Sequence, residues 1–164
     1  MKIVCGDCAD VLKTLSAESV DLVVTSPPYD NLRNYHSEFD VDEISCQLFR
    51  VVKQGGVVVW VVGDATINGS ETGTSFKQAL KFMENGFNLH DTMIFEKNSS
   101  TYPANKNSNR YTQIFEFMFV FSKGKPKTHN LLCDKANVWG GGQTSVANKI
   151  LCRSSLHGQT FGSV

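Results

Sequence analysis

The decapeptide Val20-Asp21-Leu22-Val23-Val24-Thr25-Ser26-Pro27-Pro28-Tyr29 changes character halfway. Four of its first five residues are valine or leucine, a short buried-strand pattern that stops at two prolines. A hydroxyl, two rigid carbonyl-bearing residues and an aromatic ring therefore stand at the C-terminal end of a predicted core strand. In open α/β sheets, ligands bind at that end.

The chemistry this turn suits is the handling of an exocyclic amine on a nucleobase. Such an amine is a poor nucleophile, because its lone pair is delocalised into the ring. Two acceptors around it can hold its hydrogens and draw the nitrogen towards a tetrahedral shape. The Ser26 hydroxyl and the Pro27 carbonyl are such acceptors; proline has no N–H and a fixed φ, so the Pro27-Pro28 step is stiff and its carbonyls lie outside the strand ladder. Tyr29 can stack on a base flipped out of a duplex. Alone, Pro-Pro-Tyr reads as a polyproline turn with its ring in the core. The strand before it and the segments after it favour the chemical reading.

Thr25-Ser26-Pro27-Pro28-Tyr29, preceded by Leu and Val, resembles the catalytic motif of the amino-methylating DNA methyltransferases. These transfer a methyl group from S-adenosylmethionine to N4 of cytosine or N6 of adenine. The form with Ser after Thr resembles the cytosine-N4 signature; adenine-N6 enzymes more often carry Asp or Asn at the position of Ser26. The resemblance implies double-stranded DNA as partner, S-adenosylmethionine as cofactor, and a cytoplasmic bacterial or phage-encoded restriction–modification setting.

Composition bounds the reading. The chain has 164 residues, 41% of them hydrophobic, enough for one domain with a core and against disorder. Lys+Arg and Asp+Glu are both 16, so a uniformly basic nucleic-acid module is excluded and any DNA contact rests on a local patch. No apolar run reaches transmembrane length, and no charged-then-apolar leader pattern is visible. The five cysteines, Cys5, Cys8, Cys46, Cys133 and Cys152, are odd in number. Cys5 and Cys8 have the spacing of a zinc or redox half-site, but no second pair accompanies them. Free thiols and no metal are expected.

In chain order, residues 2–5 read as a short strand closed by Gly6-Asp7, and a helix opens at Asp7 or Cys8 with Val11, Leu12 and Leu15 on one face. Asp7 reads equally as its N-cap and, by resemblance, as the acidic residue near the target amine. After Tyr29 comes a polar, aromatic segment in which Arg33 and Tyr35 could touch DNA; His36 is given no catalytic role. Residues 42–53 read as a helix ended by Gly55-Gly56, and residues 57–62 as a central parallel strand buried on both faces. That strand ends in Gly63-Asp64, which the family resemblance puts near the methionine part of the cofactor; a turn or a cap for the next helix is the alternative for Asp64, and the nearby Ser26-Pro27-Pro28-Tyr29 favours the cofactor role. Residues 67–73 form a Gly/Ser/Thr loop. A helix from Thr74 to about Asn85 presents Phe76, Leu80 and Met83 on one face. Two strands follow, residues 87–97 and 113–122, with Glu116 an odd acid in an apolar run. The long connection 98–112 carries Tyr102, Lys106, Arg110 and Tyr111 and no acid, which are phosphate-contacting and stacking types. Beyond residue 128 the signals weaken.

The expected fold class is α/β, a Rossmann-like S-adenosylmethionine-dependent methyltransferase fold with a mostly parallel sheet and a terminal antiparallel pair. A partial catalytic domain spans residues 1–127, and a loop-rich segment, 128–164, could begin a target-recognition region. The family's Gly-rich cofactor loop is not matched anywhere in the chain. In the permuted subgroup whose catalytic motif comes first, that loop comes later. An incomplete sheet with a gap, self-association or a missing C-terminal half, and weak cofactor binding by this chain alone are expected in consequence. Two rivals remain: a methyltransferase acting on RNA or protein, and a truncated chain that only binds nucleic acid or a partner.

Overall fold

A computed structural model of the chain describes residues 3–28, 40–98, 111, 113–128, 135–136 and 150–151. The chain divides into two compact units, Met1–Lys127 and Thr128–Val164. Of the second, two short antiparallel strands are described, β7 (Lys135–Ala136) and β8 (Ile150–Leu151). The first contains α1 (Cys8–Thr14), β1 (Val20–Thr25), α2 (Val41–Val51), β2 (Val52–Val62), a small hairpin of β3 (Thr66–Ile67) and β4 (Ser70–Glu71), α3 (Thr74–Glu84), β5 (Asn88–Glu96) and β6 (Phe115–Ser122).

The main sheet has the order β1-β2-β6-β5. β1 and β2 are parallel, β6 runs against β2, and β5 runs against β6. Three strands thus share one direction, with β6 inserted between two of them. Consequently the C-terminal ends of β1, β2 and β5 lie at one end of the sheet, together with the start of β6. The turn at Ser26, the β3–β4 hairpin and the connection from β5 to β6 all leave from that end.

The expected strand at residues 2–5 is not formed: residues 3–5 are irregular, with Ile3 82% exposed. Ile3 and Val4 have no partner strand among the described residues, and unpaired they have no reason to extend. The described sheet therefore has no gap. It begins at β1, whose outer side pairs with no described strand.

The helices pack on one face. Their apolar arcs meet Val58, Trp60, Val62, Phe119 and Phe121 in a single core. The other face is open among the described residues: Leu22 and Val24 are 58% and 66% exposed, and Val57, Val59 and Val61 are half-buried. The expectation that residues 57–62 are buried on both faces is thus corrected to one. Glu116 lies on this open face opposite Phe95 and pairs with Lys97, Nζ to carboxylate 2.5 Å.

Charged side chains close the helix ends. Asp7 caps α1 through Ala9 N at 2.9 Å, and Asp40 caps α2 through Asp42 N at 2.9 Å and Glu43 N at 3.2 Å. Arg50 of α2 donates to the carbonyls of Leu12 and Leu15 at the end of α1, at 2.8 and 2.9 Å. Lys123 donates to the carbonyls of Phe49 and Val52 at the end of α2, at 2.9 and 3.0 Å. That cation does what Gly55-Gly56 was expected to do. The helix stops at Val51, and residues 53–56 belong to β2. Gly55, at φ +79°, is instead required where β2 approaches the turn after β6: a Cβ there would meet the Lys125 carbonyl oxygen at 3.0 Å. Asp40→Ala should lower the unfolding free energy by about 1 kcal/mol, read from urea denaturation at constant m-value.

The facing of α3 differs from expectation. Phe76, Leu80 and Met83 are 51%, 58% and 45% exposed, while Ser75, Gln78, Ala79 and Phe82 point inward. Gln78 is buried because its amide oxygen accepts the Trp60 indole N–H at 2.8 Å. The Gly73 N-cap offers no side chain, and Asp64 supplies the cap instead, accepting from Ser75 N at 2.9 Å and Ser75 Oγ at 2.6 Å. The expected loop at 67–73 is in part the β3–β4 hairpin, turning through Asn68 and Gly69, both at positive φ.

Candidate active site

At the C-terminal end of β1 the chain passes from Thr25 through an exposed Ser26 to a buried Pro27 and a half-buried Pro28. Thr25 lies in register with Trp60 of β2, on the face that carries the helices. Above this step opens a cavity of about 760 Å³. One wall is Gly6, Asp7 and Cys8 at the start of α1; another is Asp40, Glu43 and Ile44 at the start of α2; Val23, Thr25 and Trp60 form the base, and Ser26, Pro27 and Pro28 the rim.

The cavity is apolar below and acidic at its mouth. Asp7 and Asp40 each use Oδ1 for their caps, and Glu43 pairs with Lys13 at 2.5 Å. That contact, first as a hydrogen bond and then as a charge, raises the Lys13 pKa above its ordinary value. Burial, and then the Asp7 charge beside it, raise the Cys8 pKa, which disfavours the thiolate. Cys5, Cys8 and Cys46 carry no disulfide. Among the described residues no cluster of three or more metal-ligating side chains occurs, and no helix is long and apolar enough to cross a membrane.

Of the residues singled out from the sequence, Asp7, Ser26, Pro27 and Pro28 come together on this cavity. Gly63 and Asp64 stand at the same sheet end, beyond β2, but outside the cavity lining; the Asp64 carboxylate holds Ser75 and, at 3.4 Å, the Thr72 hydroxyl. Tyr29, Arg33, Tyr35, Lys106 and Arg110 lie outside the described residues. The stem of the connection bearing Lys106 and Arg110 is closed by the backbone bond from Lys97 N to Ile114 O at 2.7 Å. Sequence reasoning missed Asp40, Glu43 and Trp60 as lining residues. Asp40 with Glu43 is an Asp-x-x-Glu helix start, which points to capping only. Trp60 looks like any core residue in an apolar run.

The Ser26-Pro27-Pro28 turn thus stands at the C-terminal end of β1, on the rim of the cavity. A family model described as DNA methylase, N6_N4_Mtase, matches residues 20–154. The chain belongs to that DNA methylase family. Over 147 residues it is 57% identical to the orphan methyltransferase M.BamHII of Bacillus amyloliquefaciens, covering 89% of this chain and 51% of the relative. It is 26% identical to a DNA modification methylase of Thermus thermophilus solved in complex with S-adenosyl-L-methionine, with TM-score 0.57 and coverage of 76% of this chain and 55% of the other. The PvuII DNA methyltransferase, described as cytosine-N4-specific, shares the fold at TM-score 0.61 and 24% identity, over 74% of this chain and 49% of the other. The chain spans about half the length of M.BamHII.

Proposed function

We propose that this chain carries the catalytic half of a site-specific DNA methyltransferase, moving a methyl group from S-adenosylmethionine to the exocyclic amine of a flipped base, with cytosine N4 favoured over adenine N6. The observation that carries the reading is the cavity joining Asp7 to Ser26, Pro27 and Pro28 at the end of β1. Its donor set suits the cofactor's chemistry: Val23, Ile44, Leu48 and Trp60 offer apolar surface, and Asp7 and Asp40 offer negative charge to a molecule bearing positive ammonium and sulfonium groups.

When bound, S-adenosylmethionine supplies a methyl group attached to positively charged sulfur. Ser26 Oγ and the Pro27 carbonyl accept the amine hydrogens and aim the nitrogen lone pair; Tyr29 stacks on the flipped base. Asp7 stands beside the amine, and Gly63 and Asp64 beside the methionine part. The amine proton leaves to solvent after transfer, so no strongly shifted general base is needed. Arg33, Tyr35, Lys106 and Arg110 contact the duplex. Residues 1–127 form the partial catalytic domain, residues 128–164 begin the target-recognition region, and the setting is the bacterial or phage-infected cytoplasm.

The half-length span and the unmatched Gly-rich loop favour one more element: a complementary segment or chain that completes the cofactor site, with the outer edge of β1 as the place it adds. A second reading, a chain that binds nucleic acid without catalysis, draws on the same observation. Tritium transfer from labelled S-adenosylmethionine to mixed-sequence duplex DNA, followed by nucleoside mass spectrometry, separates the two. Label in N4-methylcytosine is expected, from the chain alone or after addition of the C-terminal half of a relative. Label in N6-methyladenine would correct the base. No label in either arrangement, with DNA binding retained, would replace the catalytic reading by the binding one.

A further inference from the structure

We propose that the β3–β4 hairpin, Thr66 to Glu71, is a contact finger for duplex DNA, with Ile67 at its contact face; this rests on the methyltransferase reading above.

Three observations converge on it. The first is place. β2 delivers the chain to the hairpin at the sheet end from which Ser26 leaves β1, one strand away, so the finger stands beside the turn where a flipped base would be handled. The second is rigidity at the root. Thr72 N donates to Ala65 O at 2.9 Å, and the Asp64 carboxylate ties Thr72 and Ser75 to the exit of β2. The hairpin is therefore fixed to α3 rather than hung on a free loop. Asp64 thus holds the root of the hairpin in addition to the cofactor role proposed above. The third is composition. Ile67 is a β-branched side chain 58% exposed, next to the small polar residues Asn68, Gly69 and Ser70. The tip of this hairpin, with Ile67 beside Asn68, Gly69 and Ser70, fits a nucleic-acid groove, and the hairpin's one carboxylate, Glu71, sits at its root opposite Thr66. Backbone N–H groups and hydroxyls reach phosphates there, and an apolar side chain meets sugars or a disturbed base step.

The same end of the sheet also roots the connection that carries Lys106 and Arg110, clamped by Lys97 and Ile114. The hairpin and the roots of that connection, at Lys97 and Ile114, leave the sheet on the same side of the Ser26 turn. This accounts for a neutral chain acting on a polyanion: the contact surface is small and confined to one end.

A charge-position experiment tests it, using fluorescence anisotropy of a labelled mixed-sequence duplex at about 0.1 M salt, where charges act over ~10 Å. Ile67→Asp and Ile67→Lys are compared with Asn88→Asp and Asn88→Lys. Asn88 is exposed at the start of β5, the far end of the sheet, ~20 Å away. Net charge changes identically in the two pairs, so only position differs. Ile67→Asp is expected to weaken binding about tenfold and Ile67→Lys to tighten it, with both Asn88 variants within about twofold of the parent. Thermal unfolding should be unchanged in all four, because both side chains are exposed. Equal effects at the two ends would overturn the finger while leaving the DNA reading standing. Absence of duplex binding by the parent chain, both alone and with the C-terminal half of a relative added, would overturn both.

Discussion

Phe82→Ala should lower the unfolding free energy by about 3–5 kcal/mol. Phe82 is fully buried and stands where α3 meets the sheet. Its ring stacks on Phe121 at 4.4 Å between centroids and 9° between planes, with Trp60 at 4.8 Å and Phe87 at 5.6 Å. Removing it leaves three aromatic rings facing a void that none of them can fill in its present rotamer. Against a typical total of about 5–15 kcal/mol, the loss would leave the domain marginal. Phe82→Leu, which keeps most of the volume, should lose far less. Urea denaturation of both variants reads the effect, and a loss under about 1 kcal/mol for Phe82→Ala would mean that α3 is not seated on the sheet as described. Cavity and core are linked here, since Trp60 faces both: its ring packs on Phe82, and its strand register puts it under Thr25.

Ser26→Ala, in contrast, should leave the fold untouched and remove methyl transfer on the order of 10²-fold, as loss of one pre-aimed hydrogen-bonding group does elsewhere. Ser26 is exposed, so no core contact is at stake. On the proposed role of the hydroxyl in orienting the amine, the loss should fall on kcat, with KM for DNA little changed. Ser26→Thr, which restores a hydroxyl, should recover part of the rate. Single-turnover tritium transfer, in the assembly that carries activity, reads both. A Ser26→Ala variant within about threefold of the parent would take the hydroxyl out of the reaction and leave the orientation of the amine to the Pro27 carbonyl alone.

What was legible in the sequence was what local chemistry decides. The strand before Ser26 follows from five residues and two prolines. The start of α1 follows from one Asp, and the apolar run after Gly56 reads as a strand in any context. What was not legible depended on partners far along the chain. The face of α3 turns on Gln78 meeting Trp60, eighteen positions away. The end of α2 is set by Lys123, seventy-one positions from Val52, and not by the glycines beside it. The candidate site divides the same way. Asp7, Ser26, Pro27 and Pro28 carry their meaning in short motifs, whereas Asp40, Glu43 and Trp60 reach the cavity only through helix packing and the Thr25–Trp60 register.

The bonds from Arg50 to Leu12 and Leu15 carry a warning for anyone scanning this chain by mutation. A seven-residue helix does not hold itself together in water. α1 keeps its shape because a guanidinium on the next helix grips its last carbonyls, and α1 in turn presents Gly6, Asp7 and Cys8 to the cavity. Loss of Arg50 would therefore score as a ligand-binding defect although Arg50 lines no part of the pocket. Taken without the geometry, such a result would put a false residue among the contacts. With it, the same result measures how far one wall of the pocket owes its form to its neighbour.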